Sequence, residues 1–385
     1  MTCAIDKILS QRKILITCGT GGVGKTTISA ALAIRATLLG KKTAVITIDP
    51  AKRLATSLGL QTLGDHPTDL TDTIHQSYAN WKLNHLPSSE DANLGKKRGS
   101  LVAITPHTRH SFENFVRELA THPATVERIL RNPIFQIFSR EFSGTNEYMA
   151  LERLFSLEKQ GQYDCIILDT PPSRNTLAFL DAPKLLAQFF EERLIRWLIL
   201  PTNKLVSAGM RKTLGMLEKL TGAGFMTSLV DFATALFEVQ VKFQANLKKV
   251  TALLGSQQVG FLMVSTLTPD SKAEVEHFIQ SLKNHHFHLD GLLINRTLSY
   301  LKESKQDSSY PTAHRLIQAL QAQEKEVLTN LMQNPIPVCA TLPELARDVH
   351  SVEDLIHVAM ALGETPFGTL PLGEHSPSER PHPSK

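Results

Sequence analysis

A glycine-rich segment near the N-terminus carries the residue types that bind phosphate. The run Gly19–Thr26 reads GTGGVGKT and matches the pattern GxxxxGK[ST]. Glycines let the backbone wrap closely, so that successive N–H groups point at phosphate oxygens. In this pattern Lys25 bridges the β- and γ-phosphates of a nucleotide, and the Thr26 hydroxyl binds Mg²⁺. The alternative is a glycine-rich turn without a ligand. The residues expected to contact the nucleotide are Gly21, Gly22, Val23, Gly24, Lys25, Thr26 and Thr27.

Two aspartates directly follow strand-like segments further along the chain. Asp49 comes after TAVITI, and Asp169 comes after DCIIL. Carboxylates at the carboxyl ends of parallel strands meet at the sheet edge where ligands bind. We therefore expect Asp169 to hold Mg²⁺, directly or through water, and Asp49 to orient or deprotonate an attacking water. Prolines follow closely in both places, so a turn-forming aspartate is the alternative for each.

The segments that must position these residues alternate between strand and helix. Short apolar runs rich in Ile, Val and Leu are typical of strands covered on both faces. Such runs occur at Lys13–Thr17, Thr43–Ile48, Ser100–Ile104, Asp164–Leu168, Gly260–Ser265, Gly291–Asn295 and Ile336–Ala340. Their alternation with helical stretches predicts an α/β fold with a doubly wound, mainly parallel sheet.

The sheet domain is expected to be split by a helical insertion. Residues 10–181 and 256–362 form the two parts of the core, 182–255 the all-helical insertion, and 363–385 a disordered proline-rich tail. Within the first part, Gln61–Gly99 reads as a long surface loop with helical fragments. Apolar residues of the insertion recur at helical spacing, which is typical either of core packing or of an apolar groove. Glu147 and Glu152, just before Asp164–Leu168, read as solvated side chains.

Composition narrows the class of protein. The chain has 385 residues and a formal net charge of +4, which does not indicate a nucleic-acid partner. No run is long and apolar enough to predict a spanning helix. Four isolated cysteines, without a CxxC pair, indicate a reducing compartment, so a cytoplasmic location is expected. They are Cys3, Cys18, Cys165 and Cys339.

Three segments together resemble the arsenical pump-driving (ArsA-like) ATPases, which are related to the dimerising MinD/ParA ATPases. These are GTGGVGKTT, IDPAKRLATSLG and LDTPPSRNTLAFLDAP, and the resemblance extends over most of residues 14–362. It implies ATP and Mg²⁺ as ligands, and a dimer that ATP closes and hydrolysis opens. By the same resemblance Asp49 activates water, Asn295 reads adenine, and the loop containing Pro343 packs over the base. ATP rather than GTP is expected, since no NKxD motif occurs.

One departure from the family bears on turnover. The family's signature lysine, which reaches the partner's phosphates, is replaced here by Thr20. Arg53, Arg174 or another cation substitutes for it, or turnover is slow, or a partner subunit supplies the charge.

Three hypotheses of function follow. The first is a Mg²⁺-dependent ATP hydrolase whose homodimer or heterodimer drives a client protein or a membrane transport partner. The second is a nucleotide-dependent scaffold or switch with negligible turnover, and the third is a phosphotransferase acting on a small acid.

Overall fold

The computed structural model describes residues 3–48, 53–85, 94–95, 97–106, 108–136, 145–170, 178–189, 223–298, 311–333, 336–345 and 348–363. Within these ranges lies one eight-stranded sheet. Its strands are β1 (Ile14–Cys18), β2 (Lys42–Thr47), β3 (Thr68–Asp69), β4 (Ser100–Ile104), β5 (Cys165–Asp169), β6 (Val259–Ser265), β7 (Leu289–Thr297) and β8 (Val338–Pro343).

The sheet is parallel apart from one edge strand. Its order is β3-β4-β2-β5-β1-β6-β7-β8, and only the two-residue β3 pairs in the antiparallel sense. Every residue of β1, β5 and β6 is buried. The predicted doubly wound α/β fold is confirmed, and each of the seven predicted strands overlaps an observed one.

Helices cover both faces of this sheet. The helices of the described residues are α1 (Ala4–Gln11), α2 (Lys25–Leu38), α3 (Arg53–Ser57), α4 (Thr71–His85), α5 (Thr108–Leu119), α6 (Pro123–Arg131), α7 (Thr145–Gln160), α8 (Ala178–Phe189), α9 (Ala223–Leu254), α10 (Ser271–Asn284), α11 (Pro311–Met332) and α12 (Val352–Ala361). One apolar cluster joins α1, α2, α4 and α12 to the sheet, and another joins α7, α9, α10 and α11 to its other face.

Helix α2 is buried along most of its length, and its composition explains how. Residues 30–33 read AALA and are fully buried. Small side chains allow the helix axis to lie close to the sheet, and alanine has the best helix propensity. This packing fixes the first turn of α2 beside the carboxyl end of β1.

The prediction for Gln61–Gly99 is wrong in one respect. The segment contains β3 and the four-turn helix α4, which packs against α12. Only three of the 15 residues of α4 are buried, namely Ile74, Ser77 and Tyr78. The apolar periodicity of the helix is therefore too weak to stand out from a polar loop.

A third apolar cluster lies among helices away from the sheet. Three of its buried aromatic residues are Phe115 of α5, Tyr148 of α7 and Phe243 of α9, whose rings lie within 6 Å of one another. Helices α8 and α9 lie at the two ends of the predicted insertion; its residues 190–222 lie outside the described part of the chain. The tail beyond Gly363 also lies outside it. The domain boundaries given above stay predictions.

Candidate functional site

The glycine-rich loop connects β1 to α2 at the carboxyl edge of the sheet. Gly24 occupies the N-cap of α2 with φ of 90°, a left-handed conformation that favours glycine. A Cβ atom there would lie 2.4 Å from Nδ2 of Asn295. No side chain caps this helix. Its first N–H groups and the positive end of its dipole therefore form an anion-binding position.

Lys25 is held inside this loop. Its ammonium Nζ donates hydrogen bonds of 2.8 Å to the carbonyl oxygens of Gly19 and of Thr20. The side chain is only 5% exposed. These contacts keep a positive charge at the mouth of the loop, where a phosphate chain would need it.

Asp169 ends β5 beside the loop and is surrounded by hydroxyl groups. Ser29 and Thr47 donate to its two carboxylate oxygens at 3.3 and 2.9 Å. Complete burial raises the pKa of Asp169 to about 6, while hydrogen bonds from Thr26 and Thr47 and the charge of Lys25 oppose the shift. The carboxylate is thereby fixed in orientation next to Thr26, and both side chains offer oxygen atoms of the type that Mg²⁺ prefers.

The predicted catalytic aspartate cannot be placed. Asp49 lies outside the described residues, whereas β2, which precedes it, ends at Thr47 in register with Asp169. The ends of β2 and β5 are therefore adjacent, as the prediction for the two aspartates requires.

A cavity of about 400 Å³ opens in front of the loop. Lys25, Arg53 and Arg296 supply positive charge to its lining. The predicted nucleotide contacts that line it are Gly22, Gly24, Lys25, Thr26 and Thr27. The exposed Gly21 and the buried Val23 belong to the same loop, on either side of Gly22. A cationic cavity at a helix N-terminus is suited to a triphosphate.

A second compartment of about 250 Å³ adjoins the first, and both predicted base contacts line it. Asn295 donates from Nδ2 to the carbonyl oxygen of Val23 at 2.9 Å, which ties β7 to the glycine-rich loop. Pro343 ends β8, and the following Glu344 donates its backbone N–H to the carbonyl of Thr297 at 3.0 Å. The compartment is lined by both apolar and polar groups, as small-molecule sites commonly are.

Arg296 joins the two compartments, and sequence reasoning missed it. It lines both cavities, has φ of 61°, and lies 3.6 Å from Glu344. A left-handed arginine is uncommon, and such strain concentrates at functional sites. Its position directly after Asn295 was the available signal. Asp348 and His350, which also line the larger cavity, belong to a loop without a motif.

Thr20, at the position of the family's signature lysine, makes a contact within the chain. Its hydroxyl donates to Oε2 of Glu274 on α10 at 3.3 Å. The side chain at this position is therefore an uncharged hydroxyl that bonds within its own chain, rather than a second cation beside Lys25.

The cysteine thiols near the site are not reactive groups. Cys18, at the end of β1, is buried, and burial raises its pKa to about 12. Cys165 and Cys339 are buried in β5 and β8.

Comparison with known proteins agrees with this geometry. The model of one family, described as anion-transporting ATPase, matches residues 12–364. The chain belongs to this family. The predicted resemblance is thus confirmed, and the enzyme class expected from the sequence, an ATP hydrolase, is that of the anion-transporting ATPases.

Individual relatives are similar at moderate identity. A putative arsenical pump-driving ATPase of Prosthecochloris vibrioformis is 30% identical over 175 residues, which cover 46% of this chain and 36% of that protein. Putative arsenical pump-driving ATPase 2 of Aquifex aeolicus is 24% identical over 286 residues, 73% of this chain and 78% of that protein. ATPase GET3 of Mycosarcoma maydis is 24% identical over 302 residues, 78% and 77% respectively. The match thus spans about a third of the first relative and over three quarters of the other two.

Among the residues with described placement, none of the helices combines the length and apolar character required to cross a bilayer.

Proposed function

We propose that this anion-transporting ATPase family member hydrolyses ATP in a Mg²⁺-dependent reaction at the glycine-rich loop. The observation that carries the proposal is the placement of Lys25 and Asp169 at one sheet edge, beside a cationic cavity of about 400 Å³. Phosphoryl transfer needs positioning and charge neutralisation more than covalent chemistry from the protein. A preformed cationic cavity supplies both.

Thr26 and Asp169 are the residues that would hold Mg²⁺. The groups that would ligate the ion are the Thr26 hydroxyl and the Asp169 carboxylate. Hydrogen bonds from Ser29 and Thr47 hold that carboxylate in place. Bound there, the ion would neutralise charge on the phosphate oxygens.

The other proposed roles divide along the two compartments. Lys25 binds the β- and γ-phosphates, with the N–H groups of the loop and of the first turn of α2. Asp49 orients or deprotonates the water that attacks the terminal phosphorus. Asn295 and Pro343 receive the base in the smaller compartment.

Arg53 supplies the positive charge that the family's signature lysine would provide at the position of Thr20. It begins α3 and lines the phosphate cavity of its own chain. A guanidinium group at this position can stabilise the charge that spreads over the transferred phosphoryl group.

The wider role is proposed from the family. Two of the relatives are named arsenical pump-driving ATPases. We infer a dimer that ATP closes and hydrolysis opens, coupled to a client protein or a membrane transport partner in the cytoplasm. A rate of phosphate release per protomer that rises with the concentration of the purified chain would identify the second subunit as an identical chain rather than a paralogue.

A second candidate is a switch that binds ATP without appreciable turnover. The contact between Thr20 and Glu274 favours it, since the side chain at the position of the signature lysine is an uncharged hydroxyl that bonds within its own chain. In that case the chain is one half of a heterodimer whose other half carries the charge.

Phosphate release from MgATP distinguishes the two candidates. We expect steady release by the wild-type chain, loss of release in Lys25→Ala, and a fall of at least about a hundredfold in Asp49→Asn. Full hydrolysis by Asp49→Asn would contradict the mechanism. ATP binding without release by the wild type would favour the switch.

A further inference from the structure

A cluster of aromatic and histidine rings lies where α4 packs against α12. Trp81 stacks on His85 with ring centroids 5.0 Å apart, and His357 meets Trp81 edge-on at 5.8 Å. The rings of His85 and His357 are 4.7 Å apart. The contact joins a helix that reads as polar in sequence to the last described helix of the chain.

The cluster contains one hydrogen bond that fixes a protonation state. Nε1 of Trp81 lies 2.9 Å from Nδ1 of His357. An indole N–H can only donate, so Nδ1 of His357 must accept and carries no proton. The bonded ring is therefore the neutral tautomer with its proton on Nε2.

His357 also belongs to the base compartment. It lines that cavity together with Val358 and Ala361 of the same helix and with Asn295 and Pro343 from the strands opposite. Trp81 lies behind it, on α4, and is not part of the lining. Trp81, which belongs to no phosphate-binding motif, is thus hydrogen-bonded to His357, a residue that lines the cavity.

We propose that His357 contacts the base or ribose of the bound nucleotide and that Trp81 is its positioning residue. The inference rests on the proposed function, because it assigns the smaller compartment to the nucleoside. An exposed histidine on a helix samples several rotamers, and ordering it on binding costs free energy. The bond from Trp81 selects one rotamer and one tautomer before the nucleotide arrives.

The expected change in nucleotide affinity follows from the strength of the Trp81–His357 hydrogen bond. A neutral hydrogen bond contributes about 1 kcal/mol net, which corresponds to about a fivefold change in affinity. Because Lys25 and Thr26 line the other compartment and not this one, the change belongs in binding and leaves the chemical step unaltered.

The test compares three variants of the full chain by Kd for MgADP and by KM and kcat for MgATP. Trp81→Phe keeps the aromatic ring but removes the N–H, and we expect KM and Kd to rise about fivefold with kcat unchanged. His357→Asn keeps an acceptor for the indole but removes the imidazole, and we expect at least the same loss. His85→Ala is the matched control, since it disturbs the same stack outside the cavity lining, and its KM should stay within about twofold of wild type.

The outcomes separate this inference from the proposed function. If the wild type binds MgADP, and Trp81→Phe and His357→Asn bind it equally well, the positioning pair is wrong while the nucleotide site stands. If His357→Asn has the KM of the wild type, the Trp81–His357 contact only joins two helices, and the inference is also overturned. Failure of the wild type itself to bind MgADP or MgATP would overturn both. Thermal unfolding of each variant checks that the fold is retained.

Discussion

At the scale of single residues, Gly24 shows how closely the site is packed. Its φ of 90° is a conformation that other residues rarely adopt, and a Cβ atom there would lie 2.4 Å from Nδ2 of Asn295. We therefore expect Gly24→Ala to weaken MgADP binding by more than about tenfold, because φ is strained for alanine and either the loop or the Asn295 side chain must move. Equilibrium binding measures this directly.

Gly64 offers the matched control for that substitution. A Cβ atom built on it meets nothing within 4 Å, so Gly64→Ala should bind MgADP as the wild type does. Equal affinity of the Gly24→Ala and wild-type chains would contradict the assignment of this loop as the phosphate site.

Arg53 carries the prediction about the missing lysine. Removing its guanidinium from the phosphate cavity should lower kcat by at least about tenfold and change KM little, because charge on the phosphoryl group grows in the transition state. Steady-state kinetics of Arg53→Ala, with Arg53→Lys for partial recovery, measure the split. Arg131→Ala on α6, with an 83% exposed side chain, is the control. An unchanged kcat in Arg53→Ala would mean that Arg53 does not replace the charge of the signature lysine.

The residues of the site differ in how far the sequence could predict them. The glycine-rich loop has a fixed spacing, so its contacts could be predicted residue by residue. Thr47 and Ser29 could not, since hydroxyl side chains are common in strands and helices and only the fold brings these two to Asp169. Arg296 was missed although it directly follows Asn295, because the sequence does not mark its left-handed conformation, which the structure shows. His357 was missed because α12 lies far along the chain from the motifs.

At the scale of elements, a polar contact between α7 and α9 controls stability with pH. Glu152 of α7, expected to be solvated, accepts hydrogen bonds from Asn246 of α9 and from Tyr148. Burial raises its pKa to about 7. A raised pKa means that the folded chain binds the proton more tightly than the unfolded chain does.

The sign of the effect follows from that shift. The stabilisation by protonated Glu152 is complete below its ordinary pKa of 4.5 and is lost as the pH rises to about 7. Glu152→Gln cannot ionise, so it should gain on the order of 2–3 kcal/mol over the wild type at pH 8 and much less at pH 5. Urea unfolding of both chains at the two pH values measures the difference.

Glu127 on α6 provides the comparison for Glu152. Its side chain is 52% exposed and pairs with Arg131 one turn away. Glu127→Gln should change the free energy of unfolding by less than about 1 kcal/mol at either pH. A pH-independent difference between Glu152→Gln and wild type would contradict the account of the α7–α9 contact.

The elements also show where sequence patterns stop being informative. The central strands are buried on both faces, so they read as continuous apolar runs and were predicted with small errors at their ends. β3 has only two residues and α4 buries only three side chains, so neither carries a periodic signal. Both owe their place to tertiary contacts, β3 to β4 and α4 to α12.

At the scale of the whole molecule, the proposed cycle requires two subunits. We expect the rate of phosphate release per protomer to rise with protein concentration and to level off when the dimer is saturated. Lys25→Ala should give no rate at any concentration. A constant rate per protomer from dilute to concentrated chain would mean that one subunit suffices.

The central claim is that this chain hydrolyses MgATP at the glycine-rich loop, and one measurement tests it most directly. Purified wild-type chain and Lys25→Ala are incubated with ATP and Mg²⁺ at saturating protein concentration, and free phosphate is followed with time. The account predicts linear phosphate release by the wild type, abolished both by chelating Mg²⁺ and by Lys25→Ala. Release equal to that of Lys25→Ala, from a wild-type chain shown to bind ATP, would contradict it.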